Sequence, residues 1–267
     1  MRLFDAHCHL QDDRLTPHLD GVISRARAAG VERFLCCGSS EADWGHVAKL
    51  AERVDGVVPA FGLHPWYLGD RTPGWKQALK DCVERHRGMI GEIGLDHALK
   101  DRGDADQESV FLEQLAVARE RKLPASIHCR QAWGRMIEVL SDFGPHPPGL
   151  VFHAFSGTVE LIAKLVELGG YFSFCGTLTY SGNSRAHKSA VAVPEDRLLV
   201  ETDAPDLPPP EPDVPALGVV NGKAVNEPAN LVCVVRKLAE LRRCTEEHIA
   251  DITWRNASHV LQPARRA

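Results

Sequence analysis

The chain has 267 residues, of which 44% are apolar and 25% charged, and its net charge is −5. This length suits one α/β barrel, and the apolar share is enough for a large core that needs no disulfides. The acidic balance argues against general electrostatic attraction to nucleic acid, and no apolar run approaches the ~20 residues that a membrane-spanning helix requires.

In chain order, the first candidate strand is Leu3 to His7, followed by Glu32 to Cys37, Val57 to Phe61 and Met89 to Ile93. Each is a short β-branched or apolar run between longer segments of helical periodicity. The clearest helix then runs from about Asp106 to Lys122. Asp106 is placed to cap the first turn, Phe111, Leu115 and Ala118 form an apolar stripe, and Arg119, Arg121 and Lys122 suit the negative end of the dipole before Pro124 stops the helix. Ala125 to His128, Leu150 to His153, Tyr171 to Phe174 and Arg197 to Glu201 are the remaining strands. A proline-rich stretch from Pro208 to Pro215 reads as a stiff loop at the barrel mouth, and closing helices are expected near Ala229 to Leu241 and Thr245 to Leu261. Strands alternating with helices predict a parallel sheet, and eight of them close a barrel. The expected fold is therefore α/β, a (β/α)8 TIM barrel with C-terminal closing helices, as one domain over residues 1–267.

Eight cysteines include no CxxC pair, so neither a redox motif nor a zinc ribbon is present, and reduced thiols are the simplest reading. A cleaved secretory leader would remove Leu3 to His9, where the first strand and the first candidate ligands lie, so a cytoplasmic location is expected.

Those ligands begin with His7 and His9. An HxH pair alone is weak, since 13 histidines yield roughly 0.6 such pairs by chance. Location raises its weight. In an extended strand the two side chains share a face, and His7, His9, Glu92, His128, His153 and Asp203 all fall at C-terminal ends of predicted strands, which gather at one rim of a barrel. Glu92 falls between two groups of histidines, and a carboxylate has two oxygens with which to bridge two cations. The residues thus read as a dinuclear site for divalent ions in a hydrolase. By the same test His18, His46, His86, His146, His187, His248 and His259 fall in helices or connections and carry no chemistry.

Seven ordered motifs resemble the TatD-type metal-dependent hydrolases of the amidohydrolase superfamily, a family known for deoxyribonucleases. They are Asp5-Ala6-His7-Cys8-His9, Gly62-Leu63-His64-Pro65, Gly91-Glu92-Ile93-Gly94-Leu95-Asp96, Ile127-His128-Cys129-Arg130, His153-Ala154-Phe155-Ser156-Gly157, Glu201-Thr202-Asp203-Ala204-Pro205 and Asn226-Glu227-Pro228-Ala229-Asn230. The resemblance implies one ion held by His7, His9, Glu92 and Asp203, and a second held by Glu92, His128 and His153. Where His97 stands the family usually has an aromatic residue, and where Ala154 stands it often has cysteine. No lysine ends the fourth strand, so Glu92 takes the bridging role that a carboxylated lysine fills in many superfamily members.

Two cations ~3.5–4 Å apart activate a shared water and polarise the electrophile, which suits phosphodiester hydrolysis. Asp203 is then the expected general base, Glu92 the catalytic bridge, and His64 a contact to phosphate. Arg130 offers a planar fork to a phosphate. Trp66, Tyr67, Phe155 and Tyr180 lie near strand ends where bases could stack on them. Asp96 is expected to orient a ligand histidine, and Glu201 to support the chain near Asp203. The leading expectation is a deoxyribonuclease acting on single-stranded ends, as the resemblance implies. The alternative is hydrolysis of a small amide, lactone or ester on the same site. A non-catalytic interaction protein is disfavoured, because every expected ligand position is filled. Neither a membrane nor an obligate protein partner is expected. Imidazole and carboxylate ligands accept Zn²⁺, Mn²⁺, Fe²⁺ or Ni²⁺, with Mg²⁺ held more loosely.

Overall fold

The computed structural model describes residues 1–101, 103–213 and 217–261. Eight strands run in the order of the chain, each parallel to the next: β1 (Leu3–Cys8), β2 (Val31–Cys37), β3 (Val57–Phe61), β4 (Met89–Asp96), β5 (Ala125–Arg130), β6 (Leu150–Phe152), β7 (Gly170–Phe174) and β8 (Leu198–Val200). Seven helices lie along the way: α1 (Leu19–Ala28), α2 (Glu41–Arg53), α3 (Trp75–His86), α4 (Asp104–Arg121), α5 (Trp133–Phe143), α6 (Val159–Glu167) and α7 (Ser184–Ala192). Two more, α8 (Leu231–Arg242) and α9 (Glu246–Val260), follow the barrel. This is the expected (β/α)8 architecture, and the strands are buried on both faces because helices cover the outside while the interior is filled. None of the described helices is long and apolar enough to cross a membrane.

The last and first strands meet at a seam. Asp203 N–H donates to the His7 carbonyl at 3.0 Å, and His9 N–H donates to the Ala204 carbonyl at 2.7 Å. Below them the buried Asp5 carboxyl accepts from Thr202 N–H at 2.9 Å and from the Thr202 hydroxyl at 2.5 Å. Burial pushes the Asp5 carboxyl up to about 8, outweighing those hydrogen bonds. Asp5 therefore fastens the strand carrying His7 to the segment carrying Asp203. Asp5→Ala leaves a buried amide and hydroxyl without an acceptor and is expected to lower stability by about 2 kcal/mol. Asp5→Asn, isosteric with the protonated acid, is expected to lose far less; denaturant titration of both variants measures the difference.

Several boundaries differ from the sequence-based expectation. Asp106 does not cap α4; the helix begins earlier, behind Gly103 at φ 57°, and Asp104 and Asp106 lie in its first turn, where both complement the dipole. Asp106 instead accepts two hydrogen bonds from Arg71 at 2.7 and 3.0 Å. β4 continues to Asp96, so Glu92 sits at mid-strand and not at its end. A bulge explains its aim: Ile90 pairs with Ala125 and Glu92 with Ser126, which makes Gly91 the extra residue. Two residues on, Gly94 has φ 148°, and a Cβ there would lie 1.9 Å from the His128 carbonyl oxygen, so only glycine lets β4 and β5 approach this closely. β1 is irregular too, with Asp5 opposite Phe34 and Cys8 opposite Cys36. Regular alternation is therefore not what aligns His7 with His9, and His9 lies just beyond the strand.

The proline-rich stretch follows β8, as expected, though Val214 and Pro215 lie outside the described residues. A two-stranded ribbon, β9 (Val219–Val220) with β10 (Lys223–Ala224), carries no strong sequence signal because each strand has only two residues.

Candidate metal centre

Glu92 is the hub of the barrel mouth. Its Oε1 lies 2.9 Å from His153 Nε2, 3.1 Å from His128 Nδ1 and 3.3 Å from His64 Nε2. Its Oε2 faces the other way, 3.5 Å from His9 Nε2 and 3.7 Å from His7 Nε2. One oxygen is thus turned to each group of imidazoles. Asp203 Oδ1 completes the second group at 3.6 Å from His9 Nε2 and 3.8 Å from His7 Nε2. All six residues named from the sequence as ligands converge. Three overlapping sets have ligand atoms within 4.8 Å of one another: His7, His9 and Glu92; His7, His153 and Asp203; and His64, Glu92 and His128. His153 stacks on His7 with ring centroids 4.1 Å apart, so it stands within reach of both groups and the two expected sets share it as well as Glu92.

Whether this donor set suits a cation depends on which ring nitrogens carry protons, and the outer hydrogen bonds assign them. His9 Nδ1–H donates to the Cys37 carbonyl at 2.8 Å, and His128 Nε2–H donates to Asp96 Oδ2 at 3.2 Å. His7 Nδ1 lies 2.9 Å from the Ser126 hydroxyl, and His153 Nδ1 lies 3.7 Å from Glu201 Oε1. Each ring's outer nitrogen thus faces an oxygen, within hydrogen-bond distance for His7, His9 and His128, and in a neutral ring protonated there the inner nitrogen is left with a lone pair. These lone pairs face one another: His7 Nε2 and His9 Nε2 are 3.3 Å apart, His128 Nδ1 and His153 Nε2 3.1 Å. Uncharged imidazoles gain nothing from that arrangement, whereas a cation at each pair would accept the lone pairs. The residues fit a metal site.

His64 differs. Its Nδ1 accepts the Trp66 amide N–H at 3.1 Å, so in the neutral ring the proton sits on Nε2, the nitrogen that points at Glu92. It presents a donor where the other four, in the neutral state that ligation needs, present lone pairs. Burial lowers its pKa to about 3, so it is neutral at physiological pH.

Charge balance follows the same division. Burial opposes ionisation of Glu92, yet the neighbouring His64 and His153 and the hydrogen bonds from His128 and His153 hold its carboxyl well below the usual range. Burial also opposes charge on His9, but Asp203 and Glu92 overcome it and raise the ring to about 9. His153 is held well above the ordinary imidazole value against burial, chiefly by Glu92 and then Glu201, and His128 is raised by Asp96 and Glu92. His7, fully buried, is lowered to about 4. In the metal-free cluster, protons on His9 and His153 offset the carboxylates.

Supporting residues sit one layer out. Asp96 receives His128 Nε2–H and, at 2.7 Å, Trp66 Nε1–H, while its other oxygen accepts Ala98 N–H at 2.8 Å. Glu201 accepts Ala154 N–H at 2.5 Å and the Ser173 hydroxyl, so it holds the turn that carries His153. Arg130 ends β5, exposed, and among the described residues it forms no ion pair. His97 lies 4.0 Å from Asp104 and is joined through its amide to the Arg130 carbonyl. Ala154 has φ 43° and lines a cavity of about 380 Å³ beside His153, bounded also by Ser156, Thr177 and Arg185. The seven histidines expected to be inert belong to none of the three sets. Sequence reasoning missed Ser126, whose hydroxyl meets His7. It also missed the buried α4 side chains Gln114 and Gln107, which satisfy the backbone of Leu63 beside His64 and of Asp96. Two buried glutamines seven apart on an apolar helix face were the available signal.

A family model, TatD related DNase, matches residues 4–262. The chain belongs to this family. Relatives of this TatD-family chain include the metal-dependent hydrolase YabD of Bacillus subtilis, 33% identical over 97% of this chain and 99% of that protein. The 3'-5' ssDNA/RNA exonuclease TatD of Dickeya dadantii is 29% identical over 99% of each. Among solved structures, the TatD homologue YjjV of Escherichia coli superposes with a TM-score of 0.88 at 29% identity, covering 97% of this chain and 98% of that one.

Proposed function

We propose that this TatD-family chain is a divalent-metal-dependent phosphodiesterase that removes nucleotides from single-stranded ends of DNA. The observation that carries the reading is the division of Glu92, one oxygen toward each group of imidazoles, with the outer nitrogens of His9 and His128 committed to other partners. His7, His9, Asp203 and Glu92 would hold one ion, and Glu92, His128 and His153 the other. Bound there, divalent ions supply an activated water and stabilise the charge that builds on a phosphoryl group.

The chain's own residues divide the remaining work. Asp203, 8% exposed, is the general base: its carboxylate lies within 3.6 to 3.8 Å of two ligand rings. His64, neutral and with Nε2–H aimed into the site, donates to a phosphoryl oxygen without adding a positive charge that would repel cations. Asp96 fixes the His128 ring in the tautomer that ligation needs. Arg130 meets a phosphate beyond the scissile one, and the cavity beside His153, with Arg185 on its wall, accommodates the neighbouring part of the chain. The relative named as a single-strand exonuclease, similar over 99% of this chain, supports the choice of substrate. The donor set suits Zn²⁺, Mn²⁺, Fe²⁺ or Ni²⁺ better than Mg²⁺. Eight free cysteines suit a reducing cytoplasm.

The test is release of nucleotides from end-labelled single-stranded DNA with each cation in turn, alongside RNA and a panel of lactones and amides. Metal-dependent shortening of the DNA, stopped by a chelator, is expected. Inert oligonucleotides with turnover of a lactone would replace this reading by small-molecule hydrolysis.

A further inference from the structure

The four aromatic residues near strand ends are not equivalent. Phe155 is buried, with its ring against Phe172 at 4.8 Å and Trp133 at 5.0 Å, so it serves packing. Tyr180 is exposed and donates to the Pro208 carbonyl at 3.3 Å, while Tyr67, also exposed, has its ring 6.2 Å from that of His64 but among the described residues no hydrogen bond holds its side chain. Trp66 combines two properties that rarely coincide. It is 51% exposed, which leaves a large apolar face in water, and yet it is held on several sides. Its indole N–H is bound to the buried Asp96 at 2.7 Å, and its amide is bound to His64 Nδ1 at 3.1 Å. Its ring stands edge-on to His64, with centroids 5.2 Å apart at 89°.

These anchors also set where the ring stands. Asp96 Oδ2 accepts both Trp66 and His128, and His64 is the residue assigned to the phosphoryl oxygen, so the indole is positioned relative to the reacting centre by two direct contacts. A rigid aromatic face loses little entropy on contact, and every nucleobase offers a π-face to it. We propose that Trp66 is the specificity-determining residue for a nucleobase, stacking on the base of the nucleotide whose phosphate meets His64. The proposal rests on the phosphodiesterase reading above. It makes the enzyme demand a base at one position without selecting which base, because stacking carries no hydrogen-bond readout.

The experiment uses the full chain loaded with Mn²⁺ and single-stranded oligonucleotides carrying an abasic unit at the terminal or penultimate position of either end. The quantity read is the ratio of kcat/KM for the intact oligonucleotide to that for its abasic counterpart. Wild type is expected to prefer the intact strand about tenfold at one position, mainly through KM. Trp66→Ala brings that ratio to about one, and Trp66→Phe, which keeps a ring, restores most of it. A structural role alone would slow both substrates in parallel and leave the ratio unchanged, and that result overturns the proposal, as does a wild-type ratio of one at every position. A second readout needs no turnover: in metal-free protein the intact oligonucleotide quenches tryptophan emission in wild type, and this quench disappears in Trp66→Phe. If wild type cleaves no oligonucleotide yet shows the quench, the phosphodiesterase reading fails and the stacking site stands; absence of both overturns the two together.

Discussion

Glu92→Ala is expected to lower metal-dependent turnover by about 10³-fold or more, the largest effect of any single substitution in this chain. The carboxylate does three things at once. Its Oε1 faces His153, His128 and His64 between 2.9 and 3.3 Å, its Oε2 faces His9 and His7 at 3.5 and 3.7 Å, and its charge opposes that of buried imidazoles. Alanine removes all three. Glu92→Gln keeps the shape, but its amide nitrogen must turn a donor toward one of the two groups, so occupancy of that half is lost first. Glu92→Asp retracts the carboxylate by one methylene and cannot reach both groups. Metal content per chain, measured beside activity, separates the variants: near zero for alanine, about half of wild type for glutamine. Full metal content with full activity in Glu92→Ala would refute the bridging role.

Cation affinity is expected to fall steeply from pH 8 to pH 6, by about tenfold per pH unit for each proton displaced. Ligation requires neutral imidazole. In the metal-free cluster His9 titrates at about 9, and His153 lies well above the ordinary value, so both are charged at pH 7 and a cation must displace their protons. Lowering the pH strengthens the competitor, which gives the direction. His7, lowered to about 4, contributes no proton in this window. His9 alone makes the loss about 10²-fold over the two units, and His153 and His128, both raised, add to it. Calorimetry at pH 7 in buffers of different ionisation enthalpy counts the displaced protons, and buffer-independent heats would contradict the assignment. Folding stability moves with the same groups. A ring whose folded pKa lies above its unfolded value of 6.5 stabilises the metal-free protein fully below 6.5 and ceases to do so as pH rises through about 9. Metal-free protein should therefore lose stability between neutral pH and 9, and metal-loaded protein should lose less.

Much of this is legible in the sequence. The eight strand positions, the helix between the fourth and fifth strands, and the gathering of six ligand-type residues at one rim all follow from apolar periodicity and from where polar residues interrupt it. The misreadings have a common origin. The residue type of Asp106 suits a capping role, but the helix starts where Gly103 can adopt a left-handed conformation. His7 and His9 were aligned by strand alternation, but β1 is irregular in register and ends before His9. Glu92 was placed at a strand end, but pairing with β5 carries β4 four residues beyond it. In the two strand cases a local rule is overridden by pairing with a neighbouring strand, and at α4 by the backbone freedom of a glycine.

Residue types and their spacing determine which donors this chain possesses and that they sit on or just after strands of one sheet, because an apolar run interrupted by histidine or acid has few ways to bury itself except at a barrel rim. Which ring nitrogen bears a proton is decided only in three dimensions, by partners such as the Cys37 carbonyl, 28 positions from His9, and Asp96, 32 positions from His128. The same holds for the separation of His64 from the other imidazoles, the seam fastened by Asp5 and Thr202 across 197 residues, and the exposed but immobilised face of Trp66. Hydrogen bonds act over about 3 Å and take no account of distance along the chain, so tertiary contact settles them and sequence pattern does not.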